Sequence, residues 1–78
     1  MTDTEILNEL KSVMTKGLFI KEDQPFTLET NLGDDLGLDS LDKVEIKLVI
    51  EDHFDFEIDN EEFKPITIKD VVDVIKNI

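Results

Sequence analysis

One hydroxyl in this sequence stands where a helix should begin. It belongs to Ser40, in Asp34-Asp35-Leu36-Gly37-Leu38-Asp39-Ser40-Leu41-Asp42-Lys43-Val44-Glu45. The first turn of a helix presents unsatisfied N–H groups and the positive end of the helix dipole. A serine oxygen there is a favourable anchor for a phosphate ester. Gly37 permits the positive φ that a sharp turn into the helix needs. Asp39 is placed as N-cap, its carboxylate reaching the amide near Asp42. That leaves Ser40 at the first helical position with its hydroxyl pointing outward. The plainer assignment makes Ser40 itself the N-cap, but its capping box would want Glu or Gln at position 43, where Lys43 stands. The residues alone leave both assignments open, because they differ by one step in the start of the helix.

Other constellations carry less. His53 is the single histidine and the chain has no cysteine, so neither a metal cluster nor a nucleophile–base pair is expected. Asp34, Asp35, Asp39 and Asp42 lack the alternate spacing, mid-loop glycine and distal glutamate of a calcium loop. Gly33 and Gly37 are followed by no Gly-Lys-Ser/Thr, which excludes a P-loop. Nothing here is equipped to catalyse a reaction alone: no catalytic residue and no metal ligand is assigned.

Twenty acids against eight lysines, with no arginine, give a formal net charge of −12. A nucleic-acid backbone would repel such a surface, whereas basic patches on other proteins would attract it. From Glu22 to Asp42 there are seven acids and no lysine, so the approach to Ser40 is the most negative part of the chain. Seventy-eight residues make one domain, residues 1–78, with one small core. No signal peptide and no membrane-spanning apolar run is present, so a cytoplasmic monomer without membrane insertion is expected.

Four helices are expected to position Ser40. The first, capped by Asp3 or Thr4, runs to about Lys16 and buries a stripe of Ile6, Leu7, Leu10, Val13 and Met14, with Gly17 as terminator. Residues 18–38 form a long connection tied down by Phe19, Ile20, Phe26, Leu28 and Leu32, with a helical turn after Gln24. The second helix covers about Ser40 to Asp55. A short third, about Asn60 to Lys64, starts at an Asp59/Glu62 capping box and ends before Pro65. The fourth, about Ile68 to Asn77, starts at Thr67 with Asp70 and buries Ile68, Val71, Val72, Ile75 and Ile78. The fold class is all-α, a four-helix bundle of three main helices and one short one.

The second helix has two apolar stripes where one core needs only one. Ile46, Ile50 and Phe54 make a core stripe. Leu41, Val44 and Leu48 lie on nearly the opposite side, flanked by Glu45, Glu51 and Asp52. Either the long loop folds over this strip, or it is a docking face with an apolar centre and a carboxylate rim that steers basic partners.

Leu36-Gly-Leu-Asp-Ser-Leu-Asp42 followed by Val44-Glu45 resembles the phosphopantetheine attachment motif of stand-alone acyl carrier proteins. The similarity continues through Leu48-Val-Ile-Glu-Asp-His-Phe54, Ile58, Glu61-Glu62 and Ile66-Thr67. The resemblance implies a bundle of acyl-carrier type and a 4′-phosphopantetheine arm on Ser40, with Asp39 helping to position the site. It implies a carrier that shuttles acyl thioesters between enzymes of fatty-acid, or related polyketide or lipid, biosynthesis. Its partners would be a phosphopantetheinyl transferase and acyl-processing synthases, reductases, dehydratases and transferases with basic docking patches. Ile46, Ile50, Phe54, Ile58, Phe63, Ile66 and Ile75 would line the space that shelters an acyl chain. Lys43, Lys47 and Phe63 depart from the housekeeping fatty-acid carriers and bear on partner choice and cavity shape. The competing class is a non-carrier acidic helical module that binds a basic protein or divalent cations.

Overall fold

The computed structural model describes residues 2–59 and 63–77. Among them are three α-helices and no strand: α1 (Asp3–Lys16), α2 (Ser40–Phe54) and α3 (Ile68–Lys76). Of the short helix expected over 60–64, residues 60–62 lie outside the described residues. Phe63 and Lys64 stand outside any helix. Ile78, expected to extend the last stripe, also lies outside.

α1 starts one residue earlier than its sequence suggests. Thr2, not Asp3 or Thr4, is the N-cap, and it forms a reciprocal capping box with Glu5. The helix packs on both α2 and α3. Ile6, Leu10, Val13 and Met14 are buried along its stripe, as expected, with Leu7 at the margin. α3 contributes Ile68, Val71, Val72 and Ile75 to the same core, and α2 contributes Ile46 and Ile50. Each such side chain, fully buried, stabilises the fold by about 1.5–3 kcal/mol relative to leaving it in water. An ion pair and a hydrogen bond brace the helices at the surface: Lys76 to Asp3 at 2.9 Å, and His53 Nε2 to Glu9 Oε2 at 2.9 Å.

Gly17 ends α1 for a different reason than expected. Its φ is −78°, and the left-handed residue is Leu18, at φ 65°. A Cβ on Gly17 would lie 2.7 Å from Phe19 Cε2. The glycine is therefore required by the close approach of the Phe19 ring, not by its backbone conformation.

The long connection is ordered by backbone bonds to the start of α3. Ile20 and Leu32 are buried, with Phe19, Phe26 and Leu28 packed against the core. Gln24 N–H closes a turn on the Lys21 carbonyl, where a helical turn after Gln24 was expected. Asn31 and Thr67 form an isolated antiparallel bridge, with Leu32 N–H donating to the Ile66 carbonyl and Ile68 N–H to the Thr30 carbonyl, both at 2.9 Å. Asn31 Oδ1 accepts from the N–H groups of Gly33 and Asp34. Asp35 Oδ2 accepts from Asn31 N–H at 2.7 Å. This clasp sets the direction from which the chain enters α2.

Candidate functional site

The turn before α2 has the geometry that its residues dictate. Gly37 sits at φ 69° with open space where a side chain would be, so glycine serves here for its conformational freedom. Asp39, extended, is the N-cap of α2. Its Oδ1 accepts from Asp42 N–H at 2.9 Å, and Asp42 Oδ2 accepts from Asp39 N–H at 3.1 Å. The cap thus belongs to the two aspartates, and the assignment of Ser40 as N-cap is excluded. Ser40 is the first residue of the helix, exposed, and its hydroxyl has no hydrogen-bond partner among the described residues.

A nucleophilic hydroxyl in this setting has free approach from solvent and a positive local field from the helix start. Among the described residues no cluster of acids and histidine could hold a metal ion. The arrangement suits modification by another protein's catalytic machinery.

The second apolar stripe of α2 is uncovered. Leu41 is 74% exposed, Val44 51% and Leu48 56%, so the loop does not fold over them. Glu45 and Asp52 are exposed beside them. Glu51 has a different use. Its Oε2 accepts from Ile58 N–H at 2.7 Å, and its Oε1 pairs with Lys47 Nζ at 3.2 Å. The Ile58 N–H, with Lys47 in support, holds the Glu51 carboxyl below its usual range. Glu51 ties the end of α2 to the chain beyond it, with both oxygens engaged. Lys47 is not a surface charge: it is 6% exposed. A charge this deep is tolerated because Glu51 accompanies it.

Residues expected around an acyl chain divide into three groups. Ile46, Ile50, Phe63 and Ile75 are buried in one contiguous core, and Phe54 and Ile58 pack at its edge. Ile66 is 62% exposed. It turns outward because its N–H is drawn to Asp70 Oδ2, at 2.8 Å, and its carbonyl to Leu32 N–H.

Outward, Ile66 instead borders an open groove of about 660 Å³ beside Ser40. Val44, Phe63 and Pro65 give the groove its apolar floor, and Lys43, Lys47 and Lys64 line it as well. No acid does. Lys64 carried no signal in the sequence. Lys43 did carry one, lying three residues after Ser40 on the same helix and so beside it on the surface. A hollow of about 730 Å³ near Leu18, Phe19 and Leu36 shares no lining residue with this groove.

Comparison with known proteins gives the family. The pattern of the phosphopantetheine attachment site family matches residues 5–75. The chain is 40% identical over 78 residues to an acyl carrier protein of Coprothermobacter proteolyticus, an alignment covering 99% of this chain and 94% of that one. It is 39% identical over 74 residues to an acyl carrier protein of Campylobacter lari, covering 94% of this chain and 95% of that one.

Proposed function

This chain belongs to the acyl carrier protein family, with 4′-phosphopantetheine as its covalently bound prosthetic group, and from that premise we propose that Ser40 carries the arm. The observation that supports the assignment is the Asp39–Asp42 cap, which leaves the Ser40 hydroxyl exposed and without a partner among the described residues. A transferase would form the phosphodiester at Ser40 Oγ, displacing the nucleotide portion of coenzyme A. The group, once bound, supplies the thiol that this cysteine-free chain lacks.

The carrier role is favoured over a non-carrier interaction module. Its finer features belong to the same proposal. The chain acts as a single monomeric domain of the four-helix acyl-carrier type and catalyses nothing itself. It works in the cytoplasm with a phosphopantetheinyl transferase and the acyl-processing enzymes of fatty-acid or related biosynthesis. Leu41, Val44 and Leu48, rimmed by Glu45 and Asp52, form the strip that basic partner surfaces read. The core around Ile46, Ile50, Phe63 and Ile75 would part to shelter an acyl chain.

Incubation with a phosphopantetheinyl transferase and coenzyme A tests the assignment. The intact mass gains one phosphopantetheinyl group in the parent chain and none in Ser40→Ala. Loading that persists in Ser40→Ala refutes it.

A further inference from the structure

We propose that the end of α1 and the turn beyond it form a docking surface separate from the α2 strip, and that it takes an acidic segment of a partner protein. Lys11, Lys16 and Lys21 pair with the segment's carboxylates, and Leu18 anchors an apolar side chain between them. The proposal goes beyond the carrier reading and does not depend on which residue holds the arm.

Leu18 begins the argument. It is 88% exposed, more than any other large apolar residue among the described residues, and its backbone stands at φ 65°. Exposure of one leucine means little alone. A left-handed backbone, however, is the place of glycine or asparagine and works against a leucine. The turn is closed by backbone bonds, Leu18 N–H to the Thr15 carbonyl and Phe19 N–H to the Met14 carbonyl, so it needs no apolar side chain at this position. Solvent and backbone both disfavour the leucine, and the fold gains no burial from it. Such a residue points to a use outside the fold.

Charge selects the occupant. Residues 10–21 hold three of the eight lysines and no acid, in a chain whose net charge is −12. Only Lys16 falls in the last turn of α1, where the helix dipole accounts for a cation. None of the three has an ion pair among the described residues, whereas Lys47, Lys69 and Lys76 are paired. Lys21 lines the hollow of about 730 Å³ with Leu18, Phe19 and Leu36. Lys11 and Lys16 line a smaller one of about 310 Å³, and the two hollows adjoin at Thr15 and Glu22. Glu22 is the one acid on either wall. Free cations around an apolar recess call for carboxylates around an apolar side chain. An anionic membrane fits less well. It is an extended plane, and this molecule is only 29 × 27 × 21 Å across against a screening length of about 8 Å at physiological salt, so the plane would also meet the neighbouring acids. A bounded acidic patch can cover the lysines alone. A partner seated here touches Leu36, in the turn that leads to Ser40.

The test titrates a short synthetic peptide, rich in glutamate and aspartate around one central leucine, into the 15N-labelled full chain and follows the amide spectrum. The expected result is a set of saturable shifts over residues 11–24 and at Leu36, which shrink as salt is added. Lys16→Gln/Lys21→Gln should weaken the apparent Kd about fivefold, and Lys16→Arg/Lys21→Arg should keep it. Leu18→Asn suits a left-handed backbone, so it should weaken binding while holding the parent melting temperature. Absent shifts, shifts centred on the Leu41–Leu48 strip, or an affinity unchanged in both the glutamine pair and Leu18→Asn overturn the proposal. Phosphatidylglycerol vesicles that move the same amides more strongly than the peptide overturn the protein partner in favour of a lipid surface.

Discussion

Asp39 and Asp42 each accept the other's backbone N–H across the first turn of α2, at 2.9 and 3.1 Å. Ser40 lies between them in sequence and takes no part. Two acids close together at a helix start are held there by the dipole and by the amides they satisfy. The consequence for Ser40 is a rigid backbone under a free side chain, which is what a transferase needs in a target.

Asp39→Ala should therefore act on stability and on loading together. Loss of the N-cap bond costs about 1 kcal/mol, readable by urea denaturation. Phosphopantetheinylation, followed by mass, should slow because the first turn frays. An unchanged loading rate would show that the cap does not prepare Ser40.

Glu45 and Glu51 sit on the same helix and should behave differently. Glu45→Lys should leave the melting temperature nearly unchanged and weaken engagement of a transferase or synthase, read as a raised KM. Glu51→Ala should lower the melting temperature, because it strands both Lys47 and the Ile58 N–H. Glu51→Gln, which keeps an acceptor for Ile58, should fall between that variant and the parent. Equal melting temperatures for the three Glu51 chains would contradict the tie.

Stability should fall on the acid side. The N–H groups of Ile66 and then Thr67 hold the Asp70 carboxyl below its ordinary value of 3.8, and Glu5 and Glu51 are lowered by backbone N–H groups as well. A carboxyl depressed in the folded state contributes stability that is fully present above its unfolded pKa. That contribution is lost as pH falls through the folded value. Melting temperatures should thus hold near neutrality and drop below about pH 4. Asp70→Asn should make that drop shallower, and an identical slope would remove Asp70 from the account.

Gly17→Ala sets two effects against each other. Alanine restricts the unfolded chain more than glycine, which favours it by about 0.4–1 kcal/mol, and φ at −78° permits it. The new Cβ, however, would lie 2.7 and 2.9 Å from the Phe19 ring, and overpacking of this kind costs about 1–3 kcal/mol. Net destabilisation is expected, and it should vanish in a Phe19→Ala background. A double-mutant cycle with no coupling would exclude the ring as the cause.

The features legible in the sequence are those fixed by neighbours within a few residues. The positive φ of Gly37 and, among the described residues, the stripes of α1 and α3 depend on spacing alone and are as read apart from the partly buried Leu7, and of the two caps the spacing left open the structure has Asp39. The contacts of Glu51 and the burial of Lys47 were not legible in the sequence, because they are set by Ile58 and by the core. A helical wheel places a charge on a face but cannot say that the face is covered. Ile66 read as interior for its side chain, while its orientation is decided by backbone bonds to Leu32 and Asp70. Gly17 read as a C-cap by type, while a ring two residues later explains it. In each case the deciding partner is a tertiary contact or a close packing distance that periodicity does not encode.

The Asn31–Thr67 clasp has a temporal corollary. Residues 30–32 precede Ser40, yet their backbone partners lie at 66–68 and are synthesised well after it. A nascent chain still lacking residues 66–68 lacks the backbone partners that hold the path into α2, so competence for modification should arrive only once they are made. A transferase tested on ribosome-stalled fragments should therefore discriminate against those that stop short of Ile66, and equal labelling of short and full-length fragments would rule out such a checkpoint.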